Sequence, residues 1–180
     1  DDIIERIKFY EKIYGKSIRE SFLEMALFGG YPKVLLASSA GRSSELEEIY
    51  TSYVKKDVIE FTGIENPTLF NNLVKTLAHQ VGQLVNYAEL SSLLGGNQHT
   101  IKKYVDILSQ TFVLHLLPPL VGNRRNEIKQ AHKPFFYDSG LRNFITGQLR
   151  ENSLLRGETL ENCIFGELFK QLRESYRLYF

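Results

Sequence analysis

Apolar residues recur at helical spacing through most of this chain, and the breaks between those runs are sharp. Ile3, Ile4, Ile7, Tyr10 and Ile13 predict a helix over residues 3–15. A second helical piece over residues 17–28 stops at Gly29-Gly30, ahead of Tyr31-Pro32. After a small polar loop at residues 39–44, Leu46, Ile49, Tyr50, Tyr53, Val54 and Val58 share one side of a helix over residues 45–61. Asn66-Pro67-Thr68 stops the pattern and restarts it, with Thr68 a candidate cap for a helix reaching about residue 80. Asn86, with Glu89 three positions on, resembles a capping box and opens the helix that ends at Leu94.

The run from Leu93 to Leu108 is the most specific part of the pattern. Gly95-Gly96 breaks one helix, Asn97 can cap the next, and Ile101, Tyr104, Val105 and Leu108 form its apolar stripe. That is the layout of a helix-turn-helix, and it leaves Gln98, His99, Lys102 and Lys103 on the outer face. A strand-like run over residues 111–117 follows. A second, at residues 135–137, lies beyond a basic loop, so the motif reads as winged. Asp138-Ser139-Gly140 then turns into a short helix over residues 141–145. Past a loop at residues 146–156, Leu160, Ile164, Leu168 and Leu172 recur every four residues beside Phe165 and Phe169. So wide an apolar arc predicts a helix with partners on several sides. Arg177-Leu178-Tyr179-Phe180 has the look of an opening strand, which predicts that the chain stops inside its last domain.

Charge and cysteine usage narrow the function classes. At 180 residues the chain can bury a real core, but its net charge of +1 supplies no global field for nucleic acid. Attraction to DNA would have to be local. Between Asn97 and Lys133 lie six cations (Lys102, Lys103, Arg124, Arg125, Lys129 and Lys133) against two anions, Asp106 and Glu127. Cys163 is the single cysteine, so an intrachain disulfide and a thiolate-rich zinc site are both excluded. No apolar run is long enough to span a bilayer, and the N-terminus lacks signal-peptide character. A cytoplasmic setting without membrane attachment is the expectation.

Six spaced segments carry a resemblance. They are Gly29-Gly30-Tyr31-Pro32, Tyr53-Val54-Lys55-Lys56-Asp57, the helix-turn-helix, Leu117-Pro118-Pro119, Lys133 through Arg142, and Gly157-Glu158-Thr159-Leu160-Glu161-Asn162. In this order they resemble the C-terminal half of prokaryotic AAA-type P-loop ATPases that end in a domain of unknown function. The resemblance covers residues 21–180. It implies a mainly α fold with a small β wing. A helical lid or linker would occupy residues 1–62 and a winged helix residues 63–148. A truncated α/β, restriction-endonuclease-like domain would begin at residues 149–180. The ATPase core would lie elsewhere in the parent, which would bind ATP and magnesium, and that core would be a partner of this region.

Chemistry within the chain itself is sparse. Gly15-Lys16-Ser17 resembles the end of a P-loop, but Tyr10 stands where that loop needs glycine, and no buried strand precedes it. Glu161 matches a first-helix glutamate that can join further carboxylates around magnesium in nuclease-like folds, yet one carboxylate cannot make that site. Lys55, Lys56 and Asp57 read as a surface helix face. His79, His99, His115 and His132 show no metal-ligand spacing, and no metal site is expected. Neither catalysis nor a cofactor is therefore expected of this region. The leading expectation is a non-catalytic regulatory or interaction region of an AAA-type ATPase. The rival is double-stranded DNA binding, with Gln98, His99, Lys102 and Lys103 in the major groove and Arg124 and Arg125 reaching phosphates from the wing. Docking of another protein on the winged helix, and a nuclease with its catalytic strands elsewhere, are the remaining readings.

Overall fold

A computed structural model describes residues 2–120, 130–150, 156–172 and 177–180. It is mainly helical, with one two-stranded antiparallel sheet. Helix α1 (Asp2–Phe28) is continuous, where the sequence pattern suggested two pieces. Gly29 ends it, at φ +76°, with its N–H on the Met25 carbonyl. Pro32 opens the short α2 (Pro32–Leu36). Helix α3 (Arg42–Ile49) passes without a break into a π-helical stretch (Tyr50–Asp57) and then α4 (Val58–Thr62). Gly63, at φ +63°, ends that rod.

Asparagines start the next three helices by accepting backbone N–H groups that have no partner inside the helix. Asn66 caps α5 (Pro67–His79) through the Leu69 N–H at 3.0 Å. The cap therefore lies two residues before Thr68, and Pro67 takes the first helical position, where a missing N–H costs nothing. Asn86 caps α6 (Tyr87–Leu94) and Asn97 caps α7 (Gln98–Gln110). Strand β1 (Leu114–Leu117) pairs with β2 (Lys133–Phe136), Leu114 opposite Phe136 and Leu117 opposite Lys133. The first strand starts three residues later than its pattern suggested, because Thr111 to Val113 close the C-terminus of α7. Helices α8 (Ser139–Ile145) and α9 (Gly157–Gln171) complete the described residues, with Asp138 capping α8 through the Leu141 N–H.

One apolar core runs through these elements, from Val54 and Val58 through Phe70, Leu73, Ile101 and Leu108 to Leu114, Phe136, Leu141 and Phe165. Helix α9 reaches it by stacking Phe165 on Phe135, with ring centroids 4.6 Å apart. The buried face of α9 is Thr159, Asn162, Cys163, Phe165 and Gly166, whereas Ile164 and Leu168 of the four-residue stripe stay half exposed. The last four residues lie along residues 118–120, with the Phe180 N–H on Pro118 O (3.2 Å) and the Leu120 N–H on Phe180 O (3.0 Å). At the other end, Ile4, Ile7, Phe9, Tyr10, Ile13, Tyr14 and Ile18 of α1 are each 50–59 % exposed.

Candidate functional site

Helix α7 is held by its inner stripe. Ile101, Tyr104, Val105 and Leu108 are buried, and Tyr104 stacks edge-on to Phe70 of α5. The Tyr104 hydroxyl also accepts the Asn66 N–H at 3.1 Å, tying α7 to the start of α5. Gly96 keeps the turn before α7 tight: a Cβ there would stand 2.8 Å from Leu69 Cδ2. Everything opposite that stripe faces solvent.

Gln98, His99, Lys102 and Lys103 are all exposed on that outer side, as is Asp106. Gln98 and Lys102 line a groove of about 870 Å³ with Tyr87, Asp106, Leu116 and His132. The groove carries one lysine and one aspartate, so its polarity is mixed. The other two residues of the candidate surface, Arg124 and Arg125, lie outside the described residues, as does Lys129.

The remaining sequence candidates fall elsewhere. Gly15-Lys16-Ser17 lies inside continuous α1, where backbone N–H groups are committed to helix bonds and cannot cradle phosphate. Glu161 is exposed on α9, and its carboxylate rests against Gly82, where a Cβ would come within 2.5 Å of Oε2. Among the described residues no group of three histidine, cysteine, aspartate or glutamate side chains could hold a metal ion. Lys55 and Lys56 are exposed, with the Lys55 ammonium 4.8 Å above the Tyr50 ring.

A polar junction between α1, α8 and α9 is the feature that residue patterns did not reveal. Asn143 Nδ2 donates to the carbonyls of Ala26 and Leu27, both at 2.9 Å, and Ser139 Oγ donates to Met25 O at 2.9 Å. Asp138 accepts the Gly30 N–H at 2.7 Å on one oxygen and the Leu141 N–H at 2.8 Å on the other. Burial raises its carboxyl above the usual aspartate range, against the pull of those backbone donors and of Lys170. A Cβ on Gly140 would stand 2.0 Å from Phe28 O, so only glycine permits this approach. The end of α1, whose last carbonyls lack helix partners, is thereby capped by α8.

Arg142 extends the junction. It is fully buried, donating from Nε to Ala78 O (2.9 Å) and from Nη1 to Gln148 Oε1 (2.7 Å) and Thr159 Oγ1 (3.1 Å). Glu158 Oε1 lies 3.9 Å from Nη2. Those Nε and Nη1 bonds to protein oxygens from three separate segments fit a structural hub. The small-residue pairs Gly29-Gly30 and Ser139-Gly140, over a hundred residues apart, were the only sign of so close a contact.

Among the described residues no helix is long and apolar enough to cross a membrane. The chain is 28 % identical to an uncharacterized protein of Haemophilus influenzae over 92 % of this chain and 44 % of that protein. It is 30 % identical to uncharacterized proteins of Mycobacterium bovis and Mycobacterium tuberculosis, over 81 % of this chain and 33 % of each. The chain thus spans less than half the length of these relatives. No solved structure matches it. A family model covers residues 19–152, from the middle of α1 through the α8 junction, and the chain belongs to that family, described as Domain of unknown function (DUF8612).

Proposed function

We propose that this chain is a non-catalytic regulatory and interaction region of a prokaryotic AAA-type ATPase, built on a winged helix. In this reading α1 carries movement from the ATPase core to the α7 unit. The junction of α1 with α8 is the observation that carries it. Met25, Ala26, Leu27, Phe28 and Gly30 are fixed to Asp138, Ser139, Gly140 and Asn143, so the end of α1 cannot rotate without moving α8. The first half of α1 leaves its apolar side chains exposed, as a surface that packs on another domain would. The order α6, turn, α7, β1, β2 supports the winged-helix part, and the extra length of the relatives leaves room for a core and a terminal nuclease-like domain. ATP and magnesium would be held by that core, in a prokaryotic cytoplasm.

Hydrogen exchange on the longer protein tests this, with and without ATP and magnesium. The expected result is a nucleotide-dependent change in protection at residues 24–30 and 139–143 that extends to α7. Gly140→Ala, which forces the junction apart, is expected to abolish the change at α7 while leaving nucleotide binding intact. Failure to bind nucleotide overturns the ATPase reading; an unchanged α7 overturns the coupling.

DNA binding is the second reading, favoured by the exposed face of Gln98, His99, Lys102 and Lys103 on a helix held by its opposite side.

A further inference from the structure

Between the Gly30 loop, the π-helical stretch and the end of α7 lies a cleft of about 650 Å³, the size of a ligand site. Four aromatic rings line it: Tyr31, Tyr53, Phe112 and Tyr137. Two of its walls depart from regular backbone. Tyr53 and Asp57 belong to the π-helical stretch, a geometry that recurs at functional positions. Phe112 has φ +54°, the left-handed region, at the position after a helix where glycine is usual.

Phe112 is the informative residue. An aromatic side chain in that backbone region is strained, and such strain persists where the surroundings or a function require it. Burial does not compensate, because the side chain is 70 % exposed. Its one described aromatic neighbour is Tyr137, with ring centroids 5.8 Å apart at 59°. A strained ring facing solvent across an aromatic cleft is placed to stack on something from outside.

The charges around the cleft define what that is. Lys33 is occupied by Glu45 (3.0 Å) and Glu48 (2.7 Å), and Lys170 by Glu167 (2.6 Å). In the lining itself Lys33 and Lys170 stand against Glu48, Asp57 and Asp138. Asp138 is already held by backbone N–H groups, so Asp57 is the lining carboxylate with no ion-pair or hydrogen-bond partner among the described residues. The chain as a whole is net +1, so this acidity is local. An anion would be repelled, and an apolar occupant would desolvate the Asp57 carboxylate without replacing its water.

We propose that this cleft receives an arginine side chain presented by a partner polypeptide, its guanidinium stacked against Phe112 and Tyr137 and paired with Asp57. Arginine fits better than lysine because its plane stacks on aromatic faces while its fork bonds a carboxylate. The inference does not depend on the ATPase reading above.

Two-dimensional amide NMR of the chain, titrated with capped Gly-Arg-Gly, Gly-Lys-Gly and Gly-citrulline-Gly peptides, tests it. Citrulline keeps the shape of arginine and removes the charge. The arginine peptide is expected to shift the amides of Gly30, Tyr53 and Phe112 saturably, with the citrulline and lysine peptides at least about tenfold weaker. Asp57→Asn is expected to cost about tenfold as well. Phe112→Gly is expected to raise the thermal midpoint by relieving the backbone while abolishing the shifts, so lost binding cannot be lost folding. Absence of saturable shifts, equal shifts with citrulline, or shifts that survive Phe112→Gly would each overturn the proposal.

Discussion

His115 sits half-buried on β1 between three aromatic rings, with Phe169 at 5.0 Å, Phe165 at 5.5 Å and Tyr137 at 6.0 Å between centroids. Its Nδ1 lies 3.3 Å from the Tyr137 hydroxyl. Burial holds the imidazole below the usual histidine range, and the nearby His132 pushes the same way. A histidine whose folded value is depressed favours the neutral form in the fold. Stability is therefore full above the unfolded value of about 6.5 and falls as pH drops below it. Asp138 acts oppositely: its carboxyl is raised by burial, so acidification relieves its cost. A net fall in thermal midpoint just below pH 6.5 thus belongs to histidine. His115→Gln is expected to flatten that slope in a pH series of melting curves, and a slope unchanged in the variant would remove His115 as its source. Nothing in the spacing of the four histidines marked this one. Its character comes from α9, which packs over β1 from more than forty residues away.

At the scale of elements, what was legible in the residues followed local chemistry, and what was not depended on contacts. Asn86 and Asn97 were readable as caps because a short side chain reaching its own helix start is a local event. The inner stripe of α7 was readable because 3.6-residue spacing imposes it. The start of β1 was misread because Thr111, Phe112 and Val113 have strand-like side chains, yet the Val113 N–H closes back on Leu108 O at 3.0 Å. In α9 the apolar stripe was visible, but the buried face includes Asn162 and Gly166. Asn162 pairs with both the N–H and the carbonyl of Phe136, serving β2 as a neighbouring strand would. The outer face of α7 carries the prediction at this scale. Lys102 and Lys103 are exposed, so Lys102→Glu with Lys103→Glu should change stability by no more than about 0.5 kcal/mol per site. If α7 binds DNA, anisotropy of a labelled 25-base-pair duplex should show binding that weakens with salt, by about 0.9 log units in affinity per log unit of salt for each phosphate contact. The double variant should lose it. No binding by the parent chain at low salt would leave α7 to protein docking.

For the whole molecule, the question is whether residues 63–148, the segment proposed as a winged helix, can fold without their neighbours. The described core argues against it. Phe165 of α9 stacks on Phe135, and Phe136 has its outer N–H and carbonyl satisfied by Asn162. Arg142 donates to Thr159, and Asn143 donates to carbonyls of α1. Removing α9 forfeits about 2 kcal/mol of Phe165 burial and leaves two polar groups on Phe136 unpaired, at about 1–3 kcal/mol each if they stay dry. Removing α1 leaves Asn143 with nothing to donate to. These losses are comparable with the whole stability of an ordinary domain, about 5–15 kcal/mol. A fragment of residues 63–148 is therefore expected to show no cooperative urea transition, whereas residues 1–180 unfold in one step. A fragment that unfolds cooperatively at the same midpoint would mean that the α1 and α9 contacts add nothing. Movement of α1 could then not reach α7 through α8, and the junction would lose its place in the proposed function.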